Sequence, residues 1–260
     1  MELYDQIGST YDYTRKADEF ILQKLIHLLH MNKRGVYLDV GCGTGNYSIA
    51  LHNKGYSIKG IDPATTMLKQ AMQKNTMIEF TKAKAECIPF ESYTFNGIFC
   101  LSVIHHFFDL EKAFSEISRV LKKKGRLIIF TQSPQQIDDY WLNYYFAEAM
   151  SKHKECMPSI ETIELLLEKF GVRVTNKETY YIKDDLMDYF LYCKKKNPEF
   201  YLDNSFRSGM SVFAAKANKE EVDRGCAKLK RDIESGYVYD LINKCGNQHG
   251  DYTFIVSQKY

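Results

Sequence analysis

In Leu38-Asp39-Val40-Gly41-Cys42-Gly43-Thr44-Gly45, three glycines stand directly after a short apolar run, with a carboxylate two positions before the first. Glycines between a strand and a helix permit a tight turn and let a ligand lie against the backbone. The spacing is G-x-G-x-G; a dinucleotide fingerprint needs G-x-G-x-x-G, and Asn46 stands where its last glycine would be. Asp62 ends the next apolar run, so it projects at the carboxyl end of the sheet beside the glycine turn. A carboxylate there accepts hydrogen bonds from both ribose hydroxyls of a nucleotide. It would equally cap the helix after Pro63, and the two roles are compatible. His105-His106 follows Leu101-Ser102-Val103-Ile104, which brings an imidazole pair to the same edge. Imidazole suits proton transfer near neutral pH. Its plainer use here is packing or capping beside the helix that begins at Asp109.

The elements that must hold these groups alternate. Val36–Val40, Tyr56–Ile61, Met77–Thr81, Phe95–Leu101 and Arg126–Thr131 read as five strands, and residues Asn46–Asn53, Ala64–Lys74 and Asp109–Leu121 read as helices between them. Strand, helix, strand at this spacing predicts an α/β fold: a doubly wound, Rossmann-like sheet with helices on both faces. The first thirty residues read as helix. Beyond Thr131, residues 132–157 are helix-like and aromatic, Ser159–Phe170 is an amphipathic helix, Val172–Ile182 a strand, 183–250 mostly helical, and Asp251–Gln258 a final strand. We expect one domain over residues 1–260. Its parts are an N-terminal helical lid (1–33), a cofactor-binding core (34–131), helical insertions covering the substrate (132–170 and 183–250) and a last strand (251–260).

Charge nearly cancels at +2, so no strong overall field points to nucleic acid or a membrane surface. Lys122-Lys123-Lys124 and Lys194-Lys195-Lys196 read as solvated runs, the first ending a surface helix where cations complement its dipole. No apolar run approaches the roughly 18 residues of a membrane span, and the start of the chain carries charges throughout, unlike a secretory leader. Seven cysteines are scattered singly, without C-x-x-C spacing, which predicts reduced thiols, a cytoplasmic location and no metal centre.

Four stretches carry a resemblance: VYLDVGCGTGNY (Val36–Tyr47), GIDPATTML (Gly60–Leu68), AKAECIPFESYTFNGIFCLSVIHHF (Ala83–Phe107) and RVLKKKGRLIIF (Arg119–Phe130). In this order they resemble the class I S-adenosylmethionine-dependent methyltransferases, in the branch related to ubiquinone/menaquinone-biosynthesis enzymes. The resemblance covers residues 34–131 and fades in the insertions. It implies a seven-stranded sheet whose last strand is antiparallel, S-adenosylmethionine as cofactor and S-adenosylhomocysteine as product.

Residue by residue, the resemblance implies that Gly41, Gly43 and the backbone at Cys42 approach the methionine part of the cofactor, with Asp39 orienting the turn and the bound amino group. Asp62 would hold the ribose, and Pro63 and Met67 would lie near the adenine edge. Ala85 and Glu86 would flank the adenine, and Leu101 and Ser102 would meet the methionine portion. An acidic residue is common at position 84 in this branch; Lys84 cannot accept from the adenine amino group, so Glu86 or backbone must. The segment Tyr4–Gly8 with Tyr11, Thr14 and Arg15 resembles a lid, with Arg15 pairing with the methionine carboxylate and Tyr11 covering the reacting centre. His106, and after it His105, are the candidate bases. Tyr140, Trp141, Tyr144, Tyr145 and Phe146 would form a substrate cover or simply pack, and Arg207 would meet an acidic substrate. The expected partner is a small molecule, not nucleic acid. A wobble-uridine-type tRNA methyltransferase and a non-catalytic cofactor-binding protein are the alternatives.

Overall fold

Short apolar runs separated by amphipathic stretches bury their side chains only if both faces of the sheet are covered. The computed structural model describes residues 11–246 and 248–260. Strands β1 (Val36–Val40), β2 (Ser57–Asp62), β3 (Glu79–Lys82), β4 (Phe95–Leu101), β5 (Leu121–Thr131), β6 (Val172–Tyr180) and β7 (Tyr252–Lys259) form one sheet in the order β3-β2-β1-β4-β5-β7-β6. The first five pair in parallel, and β7 runs antiparallel to both β5 and β6. From β1 the chain works outward to β3, then returns to the other side of β1 as β4. That reversal opens a crevice outside the carboxyl ends of β1 and β4, where ligands of such sheets bind.

Alternation along the strands sorts the core into two layers. Leu38, Val40, Ile98, Leu127 and Ile129 pack with Phe114 and Ile117 of α5 (Leu110–Val120) and with Ile163 and Leu167 of α8 (Ile160–Lys169). Tyr37, Phe99, Ile128 and Phe130 face the opposite layer, which includes Ile21, Leu22 and Leu25 of α2 (Glu19–Leu28). The helices between them are α1 (Tyr11–Thr14), α3 (Asn46–Asn53), α4 (Thr65–Lys74), α6 (Pro134–Asp138) and α7 (Ala147–Glu155). After β6 come α9 (Asn204–Ser208), α10 (Lys219–Glu234) and α11 (Tyr237–Lys244). Caps fix where several begin: Asp18 accepts from Ile21 N, Asp109 from Lys112 N and Ser159 from Thr162 N. Among the described residues, no helix is long and apolar enough to cross a membrane.

Several expectations change. The N-terminal segment is broken into α1 and α2 by residues 15–18, and Tyr4–Gly8 lies outside the described residues. Strand β5 starts five residues earlier than expected, so Lys122–Lys124 belongs to it and ends no helix; a register shift opposite Phe95–Gly97 absorbs the extra length. The segment 183–197 holds no helix, and Lys195 is no solvated cation: it pairs with Asp251, itself fully buried, at 2.5 Å. Tyr140, Trp141, Tyr145 and Phe146 are core residues, each at most 5% exposed, and only Tyr144 opens to solvent. Stacking of Tyr140 on Tyr192 at 3.8 Å and the Trp141 Nε1 bond to Lys195 O make them the floor on which 183–197 packs. Arg207 is likewise buried and donates to Tyr201 O, so no acidic substrate meets it.

Candidate functional site

The turn after β1 is built backbone to backbone. Gly41 N and Cys42 N both donate to Ile61 O, and Gly45 N closes on Cys42 O. Gly41, Gly43 and Gly45 all have positive φ, of 75°, 54° and 75°. A Cβ at Gly41 would lie 2.2 Å from Val103 Cγ2, so only glycine fits. Above Gly43 the nearest neighbour of such an atom is the Tyr11 ring at 4.0 Å. That spacing leaves an open slot between the turn and α1.

Asp62 locks this turn to the next strand. Its Oδ2 accepts from Gly43 N at 2.9 Å and its Oδ1 from Ala64 N at 2.8 Å. Asp39, behind the turn, is buried and accepts from Ser48 Oγ at 2.6 Å. Burial pushes its carboxyl up to about 7; the Ser48 bond opposes that shift, and the charge of Asp62 adds to it. Burial also pushes the Cys42 thiol up, so it is no nucleophile. At the end of β4, Ser102 adopts φ 50° and donates its N–H to Phe130 O, while its buried Oγ has no partner among the described residues. A non-glycine residue held in that conformation is a strain characteristic of ligand sites.

Three adjoining clefts run along this edge and share Gly41. One reaches from Asp39, Cys42 and Gly43 to Arg15, Phe130 and Asp188. The next is walled by Tyr11, Asp62, Pro63, Met67, Leu101, Ser102 and His106. The third extends past His106 to Ala83, Lys84, Ala85, Glu86 and Phe108. Every candidate cofactor-binding and catalytic residue therefore reaches this groove except His105, whose ring sits 3.9 Å from that of His106. His106 is open to solvent, while burial and Lys216 lower its basicity, a shift that water at the cleft mouth screens.

Two residues carry duties that spacing did not reveal. Glu86 Oε1 accepts from the Phe108 and Asp109 N–H groups, tying the loop after β3 to the start of α5. Arg15 Nε meets Asp188 at 2.5 Å, and Tyr47 Oη donates to the same carboxylate at 3.1 Å. Asp188 was missed because it comes from the irregular segment 183–197, where no periodicity marks a functional carboxylate. Asn46 departs from the dinucleotide pattern for a visible reason: its Nδ2 donates to Asp12 Oδ1 and to Arg15 O, clasping α1 over the turn. Thr44 and Lys74 also donate to Asp12. Burial opposes ionisation of Asp12, but these donors outweigh it and hold the carboxyl below its ordinary range. Among the described residues, no group of three or more His, Cys, Asp or Glu could hold a metal ion.

Residues 38–129 match the family model described as "Methyltransferase domain". The ubiquinone/menaquinone biosynthesis C-methyltransferase UbiE of Campylobacter jejuni is 30% identical over 145 residues, which cover 50% of this chain and 61% of that protein. The demethylmenaquinone methyltransferase of Thermotoga maritima is 31% identical over 142 residues, 52% of this chain and 62% of that one. The chain thus spans less than two thirds of the length of these curated relatives. Among solved structures, a protein described as a methyltransferase from an antibiotic biosynthesis pathway of Anabaena variabilis superposes with a TM-score of 0.84 at 28% identity, over 95% of this chain and 99% of that one.

Proposed function

We propose that the chain is a class I S-adenosylmethionine-dependent methyltransferase of the branch related to ubiquinone/menaquinone-biosynthesis enzymes, and that it moves a methyl group onto an oxygen, nitrogen or carbon nucleophile of a small molecule. The observation that carries this reading is the Gly41–Gly45 turn, locked by Asp62 at the switch point and roofed by Tyr11 across an open slot. The groove fits the cofactor on its own terms. Ser102 supplies a buried hydroxyl in need of a partner, and Asp39 a buried carboxyl that a bound ammonium would ionise.

S-adenosylmethionine, when bound, supplies an electrophilic methyl group on a sulfonium. Asp39 would take its amino group, and Arg15, its guanidinium aligned by Asp188, its carboxylate. Asp62 would hold the ribose through its carboxylate, beside the two backbone donors it accepts from. Pro63 and Met67 would bound the adenine on one side, with Ala85, Glu86 and Lys84 on the other. Lys84 accepts nothing, and one Glu86 oxygen already serves two backbone N–H groups, so loop backbone would read the adenine amino group. Leu101 and Ser102 would form the wall behind the methionine portion.

Positioning and exclusion of water are the protein's main contribution to such a displacement. Tyr11 covers the slot, and the Arg15 guanidinium lies over its ring at 5.0 Å, which keeps the cover in place. His106 on the groove wall, unprotonated at neutral pH, would take the acceptor's proton. His105, its ring tilted against that of His106, would position it.

Incubating the protein with methyl-tritiated S-adenosylmethionine and a cell extract, then separating small molecules, RNA and protein, tests this. We expect label in the small-molecule fraction. Label in tRNA would overturn the acceptor class, and tight cofactor binding with label in no fraction would favour a binding protein without turnover.

A further inference from the structure

The match to the family model ends at residue 129, yet one wall of the cleft around Arg15 comes from the insertion beyond it. Residues 187–189 grip the link between α1 and α2 at consecutive positions. Met187 N donates to Asp18 Oδ2 at 3.1 Å, and Tyr189 N to Thr14 O at 2.9 Å. Between these amides, Asp188 takes the Arg15 guanidinium on both oxygens, from Nε at 2.5 Å and from Nη2 at 3.4 Å. Tyr47 Oη ties the grip together: it accepts from Asp18 N at 3.3 Å and donates to Asp188 Oδ2 at 3.1 Å. Gly209 closes against the same link, where a Cβ would lie 2.1 Å from Thr14 Oγ1.

The grip also faces the cleft. Arg15, Tyr47, Phe130 and Asp188 all line it. Phe130 meets the ring of Phe190, centroids 5.7 Å apart, so the insertion reaches the cleft through an apolar contact as well as through polar ones. Segment 183–197 holds no helix or strand, so contacts of this kind fix its place, and it opens locally at less cost than a laddered element. The side chains of Arg15 and Asp188 are only 15% and 6% exposed. A guanidinium so enclosed keeps its direction through the carboxylate that holds it.

We propose that residues 187–189 read the amino-acid end of the cofactor: Asp188 and Tyr47 position the Arg15 guanidinium for the methionine carboxylate, and that carboxylate in turn fastens segment 183–197. The proposal rests on the cofactor reading above. A guanidinium is planar with donors on more than one edge, which lets it span two carboxylates. Fixing one edge restricts the other, and the coupling is reciprocal: a ligand that strengthens docking of 183–197 binds more tightly when 183–197 is docked. Asp188 and Tyr47 act through Arg15 and are positioning residues.

S-adenosylhomocysteine and methylthioadenosine carry the same thionucleoside, and only the first carries the amino-acid end. Calorimetric titration of each into wild type, Asp188→Asn and Tyr47→Phe therefore separates positioning from structural support. We expect Asp188→Asn to weaken S-adenosylhomocysteine binding about fivefold or more and Tyr47→Phe about threefold, with methylthioadenosine changed by less than about twofold. Amide hydrogen exchange at Met187 and Tyr189, followed by NMR, should slow about fivefold in wild type with S-adenosylhomocysteine and stay unchanged with methylthioadenosine. Asp188→Asn should erase that difference. Equal effects of the substitutions on both ligands, or none on either, overturn the proposal, as does exchange that S-adenosylhomocysteine leaves unchanged. Thermal melting of each variant separates lost positioning from a lost fold. Failure of both compounds to bind wild type removes the cofactor reading and this proposal with it; binding of both without the expected selectivity removes this proposal alone.

Discussion

Asp39 shows how a single side chain sets stability against function. Its carboxyl titrates near 7 in the fold and near 3.8 when exposed. A folded value above the unfolded one means that its contribution is fully present below pH about 4 and is lost as pH rises through 7. Asp39→Asn removes that penalty. We expect its melting temperature at pH 8 to exceed that of wild type by about 4 °C or more, with a flatter pH dependence between 4 and 7. The same change should weaken S-adenosylhomocysteine binding, read by calorimetry, by about tenfold or more; unchanged binding would remove Asp39 from the site. Gly41 carries a different constraint. Gly41→Ala combines left-handed strain with a collision against Val103 and should destabilise the fold by about 2–4 kcal/mol in chemical denaturation. Adding Val103→Ala relieves the collision and leaves about 1 kcal/mol of strain.

At the scale of elements, α1 is fastened by side chains more than by packing, since none of its four residues is buried. Asp12 gathers Thr44, Asn46 and Lys74, so Asp12→Ala should release the cover. We expect the dissociation rate of bound S-adenosylhomocysteine, measured by dilution of labelled ligand, to rise about tenfold with little change in melting temperature. An unchanged rate would mean that α1 does not gate the slot. Elements were legible in the sequence where local pattern and burial agree: Asn46–Asn53 and Phe95–Leu101 stand at the boundaries their sequence pattern predicts. Asp39, Asp62 and the glycines were legible because a tight turn after a strand admits few residue types. The clasp from Asp12 to Asn46 and the Asp188 carboxylate were not, because each joins segments 34 and 173 residues apart whose meeting no local period encodes. The aromatic stretch 140–146 admits two readings, cover or packing, for the same reason. Large rings pack a core and line a groove equally well, and only the position of 183–197 decides between the two.

At the scale of the molecule, the Lys195–Asp251 ion pair joins the insertion to the segment that leads into the sheet. Asp251 precedes β7, accepts from Ile182 N and Lys195 Nζ, and keeps its other oxygen buried without a partner among the described residues. Lys195→Met strands that carboxylate and should cost about 3 kcal/mol in urea unfolding, part of which Lys195→Met/Asp251→Asn restores. If the single variant matched wild type, the insertion would be held by its aromatic packing alone. The position of β7 has a consequence for how the chain can be assembled. It is the last strand in sequence yet lies inside the sheet, between β5 and β6. A nascent chain that has emerged only as far as β6 presents β5 as an open edge of apolar backbone, with β6 unable to dock beside it. The parallel part of the sheet must therefore wait, half-built, for a segment synthesised more than a hundred residues later. A chaperone that shields the β5 edge during translation would then raise the yield of folded protein, and a fragment cut at residue 131 would precipitate through that edge.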